Sequence, residues 1–332
     1  MGAIDRQAGA AHDRGMKSTR LLTPIFVLLW TSGYVVGAVA LEAAGPLPLL
    51  EARYLLASLL TLPFALRAGL PRGVALGRLA LLGALLQFVQ FVGVYSGVAM
   101  GVAPAVAALV MTGLSPLATT ALAVASGQEG GDTRLWLGLT VGLAGVGVGL
   151  IPELGGASVG AGLALVAIGL AGLAGGTVLQ KRWGAETDPL TSVAVQSLTT
   201  VALLTPVLAV VGGRFEVGPK LILTTIWLGA GMAVLTMFVL IEMLRRTSAS
   251  RVGALLLLVP AVTALASAPV LGEALHPLSF VGMAIAGAGV ATVLLRRQPV
   301  GQPAAAEDEA HLLGVCREIG KAPVAVVAGR DL

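Results

Sequence analysis

Residues 114–149 read LSPLATTALAVASGQEGGDTRLWLGLTVGLAGVGVG, and residues 258–293 read LVPAVTALASAPVLGEALHPLSFVGMAIAGAGVATV. Set 144 residues apart, the two stretches place Pro116 on Pro260, Thr119 on Thr263, Glu129 on Glu273, Gly138 on Gly282 and Gly145 on Gly289. Five identities at one offset, inside matching hydropathy, mark an internal duplication. The pattern Pro-x12-Glu-x8-Gly therefore occurs at equivalent places in two halves of one chain.

The solvent in which such halves fold follows from composition. Of 332 residues, 56% are apolar and 11% charged, whereas soluble domains carry about a quarter of their residues as charge. An aqueous globular enzyme is excluded, as are a disordered chain and a disulfide scaffold: Cys316 is the single cysteine, and His12, His276 and His311 lie far apart, so no metal-ligand spacing arises. A net charge of +4 without aromatic interleaving, aromatics being 4%, gives no basis for a nucleic-acid partner.

A helix needs about 17 to 25 apolar residues to cross a bilayer. Ten runs of that kind are found, at 21–40, 49–66, 79–100, 103–125, 135–151, 159–180, 190–211, 221–244, 252–271 and 278–295. The expected fold is all-α and polytopic, with ten transmembrane helices. With the N-terminus inside, 18 of the 21 cationic residues fall on inner segments; Arg214 and Lys220 are outer, and Arg53 lies near the outer end of the second run. That bias predicts both termini in the cytoplasm. The first apolar run exceeds the length of a signal-peptide core and is needed by the repeat, so cleavage is not expected.

Five spans per half is an odd number, so the second copy sits upside down relative to the first. Charge agrees: Arg245, Arg246 and Arg251 fill the second half's inner turn, where the first half's equivalent outer positions are Gly101, Val102 and Ala107. The expected divisions are a cytoplasmic tail at 1–20, a first five-helix repeat at 21–151, an inverted repeat at 152–297 and a cytoplasmic tail at 298–332. Inverted repeats let two halves exchange conformations and so convert an outward-open cavity into an inward-open one, the geometry of a secondary transporter.

Leu29-Trp30, Ser32-Gly33, Arg53 and the twice-repeated Pro/Glu/Gly pattern resemble the drug/metabolite transporter superfamily, specifically its EamA-type members. The resemblance spans about residues 21–297. It implies a ten-helix bundle in the bacterial inner membrane with a central cavity, exporting small polar metabolites, amino acids or drugs without a cofactor. Glu242 departs from the pattern, since such proteins more often carry an aromatic or aliphatic residue there.

Several side chains are candidates for the cavity wall. Gln87, Gln90 and Tyr95 share a broad face of the third run, with Trp30 and Tyr34 in the first, Gln180 and Gln196 in the sixth and seventh, and Trp227 in the eighth; uncharged polar groups in lipid must point to partners in the bundle interior. Arg53 either meets an anionic group or snorkels to the surface. Glu242, within the eighth run, reads as a proton carrier, as a partner for a cationic solute, or as the i−3/i−4 partner of Arg245 and Arg246. Pro116 and Pro260 each remove a donor in mid-span and predict a hinge or a static kink. Glu129 and Glu273 are expected to cap the following helix. Gly138, Gly142, Gly145 and Gly149, repeated as Gly282, Ala286 and Gly289, line one helical face and predict close packing that holds each half together or supports a homodimer.

The partners expected are thus the lipid bilayer, a small organic solute and a proton. No Walker loop, Ser/His/Asp set or His-Glu-x-x-His is present, so neither ATP drive nor a catalytic role is expected. The alternatives from other classes are a non-transporting membrane scaffold and a membrane enzyme acting on a lipid.

Overall fold

The computed structural model describes residues 22, 24–127, 133–152, 157–183, 187–236, 239, 258–272 and 276–294. Glu129, Glu242, Glu273, the turn bearing Arg245, Arg246 and Arg251, and both tails lie outside the described residues. The chain is all-α. Its helices are α1 (Pro24–Leu41), α2 (Pro46–Ala68), α3 (Val74–Ala99), α4 (Pro104–Ala125), α5 (Thr133–Leu150), α6 (Ala157–Trp183) and α7 (Pro189–Val211). They continue with α8 (Pro219–Ile226, extended by Trp227–Leu235), α9 (Val259–Leu271) and α10 (Pro277–Leu294). Each falls on one of the ten expected runs. Six, α1 to α4, α6 and α7, are long and apolar enough to cross a membrane, and α5, α9 and α10 contain shorter apolar helices.

Local chemistry sets the ends. Proline stands in the first turn of α2, α4, α7, α8 and α9, where its missing N–H is one of the helix's unbonded donors anyway and its fixed φ suits the helix. Asp188 caps α7 by accepting from the Thr191 backbone N–H at 2.9 Å. Gly272 ends α9 at φ 70° and ψ 15°, a left-handed position that suits glycine. Inside the helices, threonine hydroxyls donate to carbonyls four residues back, as Thr61 to Ala57, Thr112 to Ala108 and Thr263 to Val259, so they carry no open polar group into lipid. Leu59, Leu137, Leu143, Ile168, Leu265 and Val281 are largely exposed and form the apolar exterior that a bilayer requires.

Inversion of the halves is visible in the packing. α5 crosses α10, and α2 crosses α7. In the first pair Gly142 lies at Gly289 and Gly149 at Gly282; in the second Pro48 lies at Gly213 and Glu51 at Thr205. Both pairs are antiparallel and consist of equivalent helices. The contacts are also reciprocal: Gly138 meets Gly289 and Gly145 meets Gly282, the same pair exchanged under the repeat. α3 packs on α6, and α1 meets α8 where Gly33 abuts Met232, the equivalent contact in the other half. The glycine face therefore joins the two halves. It neither holds each half together nor remains free for a second copy, because both stripes face each other within one chain.

The two prolines stand in different settings. Pro116 follows a π-helical stretch, Leu109–Gly113; it cannot donate to the Thr112 carbonyl, and the backbone widens into a π turn before it. Pro260 sits in the first turn of α9 as described; residues 252–257 of its expected run lie outside the described residues. Unexpected π-helical stretches also occur at Ala84–Val89 in α3 and Trp227–Leu235 in α8, equivalent helices of the two repeats. Two close crossings in α3 and α6, through Gly93 and Gly97 against Leu165 and Gly162, lay outside the sequence reading as well.

The α1–α2 and α7–α8 connections lie together. Ala44 and Phe215 form an isolated antiparallel bridge, Arg214 donates to the Leu41 carbonyl at 2.9 Å, and Lys220 pairs with Glu42. Arg214 and Lys220, the two exceptions to the charge bias, are thus tied to the neighbouring loop.

Candidate functional site

A cavity of about 330 Å³ opens between the first three helices of each half. α1 lines it with Trp30, Gly33, Tyr34, Gly37, Ala38 and Leu41, and α3 with Leu86, Gln87, Gln90, Phe91, Val94, Tyr95 and Val98. Both sets follow the three-to-four residue spacing of one helical face. Arg53 and Tyr54 enter from α2, Leu173 from α6, Val193 and Gln196 from α7, and Met232 and Thr236 from α8. The π segments of α3 and α8 supply Leu86, Gln87 and Met232, so the wall is irregular in equivalent places.

Glycines make the room. A Cβ on Gly37 would stand 2.8 Å from the Tyr95 hydroxyl, and one on Gly33 2.7 Å from the Met232 methyl. On α3, Gly83 lets α7 approach, since a Cβ there would fall 2.6 Å from the Gln196 carbonyl. That approach brings the amides together.

Two polar clusters result. In the first, Arg53 is 4% exposed and donates through Nη1 to the Tyr95 hydroxyl at 3.2 Å, which donates in turn to the Gly33 carbonyl at 3.3 Å. Its guanidinium lies 4.2 Å from the Phe91 ring centroid and 5.2 Å from that of Tyr54, so cation–π attraction stands in for water. Snorkelling is thus overturned for Arg53: the side chain turns inward under Phe91 rather than out to the surface. In the second cluster Gln196 is the hub. Its Nε2 donates to the Ser192 hydroxyl at 2.9 Å and to Gln180 Oε1 at 3.4 Å, while its Oε1 accepts from Gln87 at 3.5 Å; Ser197 donates to Gln87 Oε1 at 3.2 Å.

Among the sequence candidates, Trp30, Tyr34, Arg53, Gln87, Gln90, Tyr95 and Gln196 line one cavity. Gln180 does not line it but supports Gln196 from behind. Trp227 stands outside, on the α1/α8 seam, donating from its indole N–H to the Ser32 hydroxyl at 2.9 Å; its ring packs beside Gly231. Glu242 lies outside the described residues. Tyr54, Phe91, Gly33, Gly37 and Met232 were not anticipated. Phe91 had a signal, since it sits four residues before Tyr95 and four after Gln87 on the same α3 face.

The profile described as the EamA-like transporter family matches residues 19–150 and again 160–295. A solved crystal structure described only as that of a protein superposes with a TM-score of 0.61, at 20% sequence identity, covering 84% of this chain and 98% of its own. At that identity the likeness concerns the fold alone. No curated protein matches this chain.

Proposed function

Since the chain belongs to the EamA-like transporter family, membrane transporters of the drug/metabolite transporter superfamily, we propose that it moves a small organic solute outward across the bacterial inner membrane by alternating access between its two halves. The observation that carries this reading is the cavity itself. It is walled by α1, α2 and α3 together with α6, α7 and α8, the equivalent helices of two inverted repeats. A rocking of one set against the other about the α5/α10 crossing closes one mouth and opens the other.

Sidedness in this reading follows the charge bias, with both termini in the cytoplasm. It is supported by the joined α1–α2 and α7–α8 connections, which the topology assigns to one side. One chain is the working unit, because the face that suggested a homodimer is occupied by the other half. In this reading any proton coupling falls to Glu242, the one carboxylate within the eighth run, about one turn from its inner end. A scaffold or a lipid-modifying enzyme has no need for a buried cation beside a cavity between repeats.

The test compares metabolites inside and outside cells that overproduce the chain, cells that lack it, and cells producing an Arg53→Ala/Glu242→Gln double variant. One solute class moving outward only with the intact chain is the expected result. Unchanged pools, with abundant folded protein and no flux in liposomes, would sink the transport reading.

A further inference from the structure

We propose that the cavity selects amphipathic monocarboxylates, with Arg53 reading the carboxylate and the rings of Phe91 and Trp30 facing the apolar body; this rests on the transport reading of the same cavity. Arg53 is buried and has five N–H donors, yet only Nη1 has a hydrogen-bond partner, the Tyr95 hydroxyl, and Nε has none. No carboxylate pairs with it among the described residues. The ion pairs there are Arg214 with Glu216 and Lys220 with Glu42, both on the outer connections. Glu51, two positions away on α2, turns instead to α7 and accepts from the Thr205 hydroxyl at 2.6 Å.

A buried cation without a counter-ion is unfavourable, and aromatic faces offset only part of that cost. A carboxylate in the cavity would supply the counter-ion that the guanidinium lacks among the described residues, in the forked geometry that Arg and carboxylate share. Charge matching narrows the class. Among the described lining residues Arg53 is the single charged side chain, so a monoanion is neutralised whereas a phosphate-type dianion leaves charge uncompensated. A cationic solute finds no carboxylate among the described lining residues. The remaining surface, formed by Trp30, Phe91, Val94, Leu173 and Met232, suits a hydrocarbon or aromatic body.

The experiment uses the full chain in lipid nanodiscs. Binding of phenylacetate and 3-phenylpropionate is titrated by tryptophan fluorescence and by the shift in thermal midpoint. Their neutral amides, phenethylamine and phenylphosphonate are titrated alongside. The acids should bind at least about tenfold more tightly than their amides, the scale of one charge-assisted hydrogen bond, and more tightly than the amine or the phosphonate. Arg53→Gln should remove the preference and Arg53→Lys retain part of it. Equal binding of acid and amide, no binding of either acid, tighter binding of amine or phosphonate, or a preference that survives Arg53→Gln would each overturn the proposal. Because the acid–amide comparison is made on the unaltered chain, it stands even if a variant misfolds. Flux of the same compounds in proteoliposomes separates the two readings: acid preference without flux removes transport alone, and flux of the amides without acid preference removes this inference alone.

Discussion

Arg53 shows how one side chain sets stability against function. Its contacts with Phe91, Tyr54 and Tyr95 contribute about 0.5 to 2 kcal/mol of cation–π attraction and one hydrogen bond, against a desolvation cost of several kcal/mol. The balance is unfavourable, so Arg53→Met should leave thermal stability in detergent unchanged or raise it, by up to about 4 kcal/mol, while abolishing transport. A marked fall in midpoint would show that the cation holds the fold together. Tyr95 depends on its neighbour in turn. Gly37→Ala pushes a methyl into the buried Tyr95 ring, and should reduce flux at least tenfold with the protein still folded. Gly77→Ala, where nothing lies within 4 Å, should leave flux unchanged. Gln196 is a third such residue: Gln196→Leu strands Gln87, Gln180 and Ser192, and an unpaired buried polar group costs about 1 to 3 kcal/mol. Chemical or thermal unfolding of purified protein would register that loss.

The α5/α10 crossing is the clearest case of helices brought together by the absence of side chains. At Gly282 an added Cβ would collide with the Gly149 backbone, and at Gly145 with that of Ala286. Backbone cannot move aside as a flexible side chain can, so the two helices must separate along their length. Gly282→Ala should therefore lower the thermal midpoint by an amount equivalent to about 1 to 3 kcal/mol, and Gly145→Leu should reduce the yield of folded protein. Gly287→Ala, on the same helix with open space around it, is the control; equal loss from Gly287 and Gly282 would defeat the close-packing account. The sequence reading found these stripes by spacing but paired them wrongly, since spacing says which residues share a face and is silent on what that face meets.

For the complete chain, the inverted halves make a claim about sidedness that chemistry can check. In a Cys316→Ser background, a cysteine introduced at Thr247 should react with an impermeant thiol reagent only from the cytoplasmic side, and one at the exposed Val217 only from outside. Labelling of Thr247→Cys from outside would invert the topology. The same pair of loops bears on the exceptions in charge. Arg214 and Lys220 are held by the Leu41 carbonyl and by Glu42, so the two cations that depart from the bias have local partners rather than arguing against it.

The chain's hydropathy and its 144-residue repeat were enough to establish ten helices and their inversion, because bilayer thickness fixes span length and an odd number of spans per repeat forces the second copy upside down. Period-3.6 spacing likewise grouped Gln87, Gln90 and Tyr95 on one face. What the linear order withheld was contact across helices: that Arg53 turns inward beneath Phe91, that Gly37 makes room for Tyr95, that Gln180 stands behind Gln196, and that Trp227 faces the α1/α8 seam. Those outcomes depend on how closely neighbouring backbones approach and on how each helix is rotated about its axis. Both are settled only when the helices pack together, with the glycine crossings and the π segments at Ala84–Val89 and Trp227–Leu235 deciding which side chains meet.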